Sequence, residues 1–178
     1  PQRGHEPTDD IAATKRKAEL MLSAYRDLFG IGVHALRFFT VYGPRQRPDM
    51  AIAKFVDAIR RGVAIRVFGD GSSRRDYTYV DDVVSGTVAS VEAVAPGQYE
   101  LLNLVGTKTI SLSELISTIE HVVGKRAIID RQPDQPGDVP ITFANIERAR
   151  AVLGYAPTLG PAEGIARYWA WLQGRPMP

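Results

Sequence analysis

Arg37-Phe38-Phe39-Thr40-Val41-Tyr42-Gly43-Pro44-Arg45-Gln46-Arg47-Pro48-Asp49-Met50 is the stretch on which the reading of this chain turns. The run from Val33 to Thr40 alternates and is rich in aromatic and branched residues, which predicts a strand. Tyr42-Gly43-Pro44 breaks it, and two arginines held between prolines follow. A strand end of this composition presents fixed cations to an anionic ligand.

On the N-terminal side, apolar positions recur at helical spacing from Ile11 to Phe29, Gly30 stops the run, and Asp9 or Asp10 supplies an N-cap. Lys15 stands among Lys15, Arg16 and Lys17, and by itself reads as a solvated helix-face lysine. Pro1 to Asp10 is polar and punctuated by Pro and Gly, which predicts a loop or ragged end, so the folded unit is expected over 11–178.

On the C-terminal side, Ala51 to Arg61 predicts an amphipathic helix closed by Gly62, and Ala64 to Phe68 a short strand. Gly69-Asp70-Gly71-Ser72-Ser73 then reads as a turn whose strand Tyr77 to Val80 returns in hairpin fashion. Asp81 and Asp82 are expected to cap a helix from Val83 to Val94, a duty that suits carboxylates better there than catalysis. Tyr99 to Val105 predicts a buried strand. A capping box, Ser111 with Glu114, opens a helix to Val123. Ala127 to Asp130 reads as a short strand, Gln132 to Pro140 as a Pro-rich loop, and Asn145 to Leu153 and Pro161 to Gln173 as closing helices. Alternating helices and strands make the class α/β.

Composition limits what this fold can serve. The 178 residues are 44% hydrophobic and 24% charged, which fits one globular domain. A net charge of +2 calls for neither nucleic acid nor a membrane surface as partner. There is no cysteine, so disulfides, thiol catalysis and thiolate metal sites are excluded. The apolar runs are too short to cross a bilayer, and the expectation is a cytoplasmic protein. A dinucleotide fold opens on a strand and a glycine-rich turn, and no Gly-x-Gly-x-x-Gly occurs.

Five motifs, in order, carry a resemblance: Ala12-Ala13-Thr14-Lys15-Arg16 with Glu19-Leu20; Leu36 to Arg45; Val67-Phe68-Gly69-Asp70-Gly71 with Arg75-Asp76-Tyr77-Thr78-Tyr79-Val80-Asp81-Asp82; Gln135 to Val139; and Leu153-Gly154-Tyr155 with Pro157. Together they resemble the NAD-dependent sugar-nucleotide epimerases and dehydratases of the extended short-chain dehydrogenase/reductase superfamily, over the second half of such an enzyme. The resemblance implies the last Rossmann strand and helices plus a small α/β substrate-binding domain, with the dinucleotide-binding part not represented. Phe39 to Met50 is most similar to UDP-glucuronate 4-epimerases.

That subgroup implies Thr40 and Arg47 on the sugar carboxylate, a role that suits a planar guanidinium and not a lysine. It also implies Val67, Phe68 and Gly69 against the uracil, Arg75 on the diphosphate and Asp138 at the pocket rim. Gln135 stands where several relatives have a second diphosphate arginine. Read without the resemblance, Val67 and Phe68 can equally be core, and Arg45 and Arg47 surface cations. The implied cofactor is NAD, the implied ligand a UDP-sugar, and the implied assembly a homodimer through the helix bearing Lys15.

The family's catalytic pair is Tyr-x-x-x-Lys, with the lysine also serving the cofactor. Lys15 aligns with the lysine, and Ile11 stands at the tyrosine. An alkyl side chain exchanges no proton, so no epimerase turnover is expected of this polypeptide by itself. A non-catalytic nucleotide-sugar binder or interaction protein, and a portion of a UDP-glucuronate decarboxylase, are the alternatives.

Overall fold

A computed structural model describes residues 10–106, 108–134 and 140–174, excepting the side chains of Asp10, Ile11 and Ala12. Its elements alternate: α1 (Asp10–Phe29), β1 (Val33–Phe38), β2 (Thr40–Tyr42), α2 (Ala51–Arg61), β3 (Ile65–Phe68), β4 (Arg74–Tyr79) and α3 (Val80–Ala93). β5 (Tyr99–Leu104), β6 (Thr109–Ser111), α4 (Leu112–Val123), β7 (Ile129–Gln132), α5 (Glu147–Leu153) and α6 (Pro161–Leu172) follow.

The strand expected from Val33 to Thr40 divides at Phe39 because its two parts take different partners. β1 runs parallel to β5, with Val33 opposite Tyr99 and Phe38 opposite Leu104. β2 runs parallel to β4, with Thr40 opposite Tyr77 and Tyr42 opposite Tyr79. β4 also pairs with β6, antiparallel, placing Arg75 opposite Ile110. β6 is only three residues long, too short for an alternation to announce it.

The expected hairpin does not form. β3 pairs parallel with β7, not with β4. The intervening loop is held elsewhere: Gly69 and Gly71 are left-handed, with φ of 68° and 85°. Asp70 accepts from the Ser72 N–H at 2.8 Å as an Asx turn, and Ser113 N–H donates to Gly71 O at 3.0 Å. The loop is thus bonded to the start of α4, and β4 is freed to cross to β2.

Asp81 and Asp82 are also corrected. α3 begins at Val80 with Tyr79 at its N-cap and no side-chain cap bond, so both aspartates sit in its first turn. Buried Asp82 accepts from Thr158 N–H at 3.0 Å and Leu159 N–H at 3.2 Å, clasping the segment that leads into α6. The capping box on α4 forms as expected: Ser111 Oγ accepts from Glu114 N–H at 3.1 Å, and Glu114 Oε2 from Ser111 N–H at 2.6 Å. α5 starts at Glu147, whose N–H donates to Asn145 Oδ1 at 2.6 Å.

Two apolar cores result. The larger gathers Tyr42, Ile52, Val56, Ile59, Val67 and Tyr79 with Leu115, Ile119, Ile165 and Tyr168, between β2, β3, β4 and helices α2, α4 and α6. The smaller holds Leu102, Leu104, Val105, Ile146, Ala149 and Tyr155 beneath α5. α1 is different. Leu20, Met21, Tyr25, Leu28 and Phe29 are all at least half exposed along it, an apolar stripe rather than a buried face. Among the described residues, no helix is long and apolar enough to cross a membrane.

Candidate functional site

The parallel register of β2 and β4 decides how the expected site residues relate. Thr40 is opposite Tyr77, and successive side chains on a strand alternate between faces. Thr40, Arg75 and Tyr77 therefore share one face of the sheet, with Arg75 diagonal to Thr40. Further along that face the Tyr42 and Tyr79 rings pack edge to face at 5.6 Å. Their burial anchors β2 and leaves Thr40 half-buried at its start.

β2 leads into the loop Gly43 to Met50, at the carboxyl end of a parallel strand, where open α/β sheets take their ligands. Gln46 N–H donates to Gly43 O at 3.2 Å, closing a turn with Pro44 and Arg45 at its centre. Arg45 is the one described non-glycine residue at positive φ, 64°, in the place that a type II turn reserves for Gly or Asn. Two residues on, the Arg47 side chain is 75% exposed. Among the described residues it meets Asp49 at 3.4 Å and the Met50 sulfur at 3.5 Å, both weak holds on an exposed guanidinium.

Arg75 is half-buried and donates to Arg74 O at 2.9 Å. Arg74 points to the other face and is structural: it meets Thr109 O at 2.7 Å and Glu114 at 3.2 Å. The stretch Val67 to Gly69 separates into unlike parts. Val67 is buried in the larger core, so its side chain is not presented to a ligand, whereas Phe68 is exposed. Gly69 N–H donates to Gln132 O at 3.0 Å, and Arg131 donates to Gly69 O at 2.7 Å. Asp138 and Gln135 lie outside the described residues.

Lys15 is exposed in the second turn of α1, one turn after Ile11. Reading the sequence missed what fastens the helix that carries it to β1 and β5. Glu19, a turn further on and buried, accepts from Arg37 of β1 at 2.6 and 2.8 Å, and from Arg16 at 3.1 Å. Arg37 holds the Glu19 carboxyl below the ordinary glutamate range, against the opposing effect of burial. Tyr99 of β5 donates to Glu19 O at 3.1 Å. In the sequence both residues stand within the motifs that carry the resemblance, but they lie eighteen apart with no spacing rule to connect them.

Asp76 was missed as well. It is fully buried beside Arg75, where Oδ1 accepts from Gly106 N–H at 3.0 Å and Oδ2 has no partner among the described residues; burial pushes its carboxyl up. A Cβ on Gly106 would come within 2.9 Å of Asp76 Oδ1, so glycine is needed there for close approach. Among the described residues, one cavity of about 500 Å³ lies at Arg60, Trp169, Leu172 and Gln173, and one of about 220 Å³ lies between Gly106, beside Asp76, and the start of α5. Neither has Thr40, Arg47 or Arg75 in its lining.

Parallel strands joined by helices, with Arg75 on one sheet face and Arg47 in the loop after β2, define an α/β domain. The chain belongs to the NAD dependent epimerase/dehydratase family, whose model matches residues 4–104. It is 40% identical over 166 residues to a UDP-glucuronate 4-epimerase of Thermodesulfobacterium geofontis, covering 93% of this chain and 50% of that protein. It is 39% identical to a probable UDP-glucuronate 4-epimerase of Rhizobium meliloti, covering 95% of this chain and 54% of that one. The chain thus spans about half the length of the curated relatives it matches.

Among solved structures, UDP-glucuronic acid 4-epimerase from Bacillus cereus in complex with UDP-glucuronic acid and NAD superposes with a TM-score of 0.87 at 34% identity, over 95% of this chain and 54% of that one. A dTDP-glucose 4,6-dehydratase from Streptomyces venezuelae with NAD bound gives 0.87 at 25% identity, over 97% and 53%. The α/β fold is therefore that of the extended short-chain dehydrogenase/reductases.

The described residues do not form a dinucleotide cradle. β4 passes into α3 and β6 into α4 with no residue between, and the junction from β2 to α2 holds one glycine followed by proline. No pyrophosphate-binding turn can be built from these junctions.

Proposed function

We propose that this chain is the substrate-binding portion of a UDP-sugar 4-epimerase, with UDP-glucuronate as its ligand. The observation that carries the reading is the common face of Thr40 and Arg75, with the exposed Arg47 in the loop that leaves the same strand. A hydroxyl and a guanidinium suit the sugar carboxylate, and a second guanidinium suits the diphosphate; each charge-assisted contact is typically worth about 1.5–3 kcal/mol. Phe68 offers a ring for the uracil beside Gly69, and for Asp138, outside the described residues, a role at the uridine diphosphate rests on the resemblance alone. The likeness to proteins named as UDP-glucuronate 4-epimerases supports the choice of sugar.

By itself the chain binds without turning over. Lys15 can hold a cofactor hydroxyl and lower a neighbouring acid's pKa, but Ile11 has no proton to take or return. Removal of the sugar hydroxyl proton falls to a group outside this set, and the NAD pyrophosphate would be held by residues other than the described ones. The apolar stripe on α1 covers itself against a second copy, making a homodimer. The setting is cytoplasmic, where nucleotide sugars are met in solution.

Calorimetric titration with UDP, UDP-glucose and UDP-glucuronate tests the binding. UDP-glucuronate is expected to bind more tightly than UDP-glucose; equal affinities would remove the acidic sugar from the reading, and no binding would leave an interaction module. Incubation with NAD and UDP-glucuronate is expected to yield no UDP-galacturonate. Its appearance would overturn the inactivity, and release of carbon dioxide would favour a decarboxylase.

A further inference from the structure

Gln46 lies between Arg45 and Arg47, and its side chain is arranged the wrong way round for a surface glutamine. The residue is half-buried, yet its amide nitrogen and oxygen are both enclosed without a hydrogen-bond partner among the described residues. Long polar side chains ordinarily keep the stem against the protein and the tip in water. An amide that loses both its donor and its acceptor contacts is destabilising, and such a group in a folded chain calls for a reason.

The backbone beside it is strained as well. Gln46 N–H is fixed to Gly43 O, and Arg45 is held left-handed at φ 64° without being Gly or Asn. An unpaired amide and a strained residue at adjacent positions of one loop, at the carboxyl end of a parallel strand, are two separate departures in one place. Such departures gather where a loop exists for a ligand.

We propose that Gln46 is a further specificity-determining residue of the sugar site, stowed in the free chain and turned outward to pair with two adjacent pyranose hydroxyls when a nucleotide sugar binds. The chemistry selects this group. A primary amide offers one donor and one acceptor side by side, the complement of a vicinal diol in which one hydroxyl accepts and its neighbour donates. The flanking guanidiniums suit anions, and a neutral two-way group between them suits the uncharged part of the same sugar. Three rotatable bonds carry the amide outward while the turn holds its backbone, and no protein hydrogen bond has to break for it to leave.

This inference rests on the sugar-site reading above, and the test separates the two. Wild-type chain and Gln46→Met, which keeps the stem and removes the amide, are titrated with UDP-glucuronate and with UDP alone, and their melting temperatures are measured without ligand. The variant is expected to lose about ten-fold in affinity for UDP-glucuronate, to keep its affinity for UDP within about two-fold, and to melt no lower than wild type. Unchanged UDP-glucuronate affinity overturns the role of Gln46 and leaves the sugar site standing. A lower melting temperature with equal losses for both ligands identifies the amide as a structural group satisfied by water, which also overturns it. Wild type that binds neither ligand removes the sugar site itself, and the inference with it.

Discussion

Replacing Gly164 by alanine sets two known effects against each other at the base of the site. Gly164 lies in α6, where alanine is favoured over glycine by about 1 kcal/mol. Against this, a Cβ there would come 2.8 Å from Tyr42 Cζ and 3.0 Å from Tyr79 Cδ2, and would collide with the Tyr42 hydroxyl. Neither ring can yield as a lysine tip would: both are buried, packed on each other, and Tyr42 lies on β2 between Thr40 and the Arg47 loop. Overpacking a filled core costs about 1–3 kcal/mol, so the net expectation is a loss of up to about 2 kcal/mol. Urea unfolding should show a lower midpoint with unchanged slope. Tyr42→Phe removes the atom in collision, together with a hydrogen bond to Pro161 O that is long at 3.5 Å. The double variant should therefore recover a substantial part of the loss. A Gly164→Ala chain more stable than wild type, or a double variant showing simple additivity, would refute the packing argument.

Ser111→Ala removes half of the capping box on α4 and should cost about 1 kcal/mol in the same assay. Glu19 has a folded-state pKa below its ordinary 4.5, so its contribution is present above that value and lost as pH falls through it toward the folded-state pKa. Glu19→Gln should flatten that acid limb of the stability profile and weaken the hold of α1 on β1, which thermal unfolding between pH 3 and 7 reads directly. Met21→Lys with Leu28→Lys places two like charges on the exposed stripe of α1 and should shift the chain from dimer to monomer in light scattering at micromolar concentration. Arg47→Lys should weaken UDP-glucuronate by about ten-fold and leave UDP nearly unchanged, since lysine cannot form the paired bonds.

What the sequence disclosed, and what it withheld, follows from the range of the forces involved. Helices declared themselves through periodicity and local caps, so Ala51–Arg61 and the Ser111 box are found where they were read. The parting of β1 from β2 at Phe39, and the pairing of β3 with β7 across some sixty residues, are decisions of partner choice that no local pattern encodes. Val67 shows the same limit, since its place in an alternating strand was legible but which face met the core was not. At the site, residue types pointed to an anionic ligand and the resemblance to an acidic sugar, and only the register brought Thr40 and Arg75 to one face. Buried Asp76 and the Glu19–Arg37 bridge depend on contacts between distant strands and were invisible before the fold was seen.

The crossed bonds at the end of β3 and β7 carry a consequence of another kind. Gly69 and Gln132 are stitched in register, Arg131 reaches back over the seam, and a side chain at position 69 would run into Asp134. An insertion or deletion in one of these hems therefore displaces the other, and an exchange of either loop between homologous proteins should succeed only when both are transplanted together.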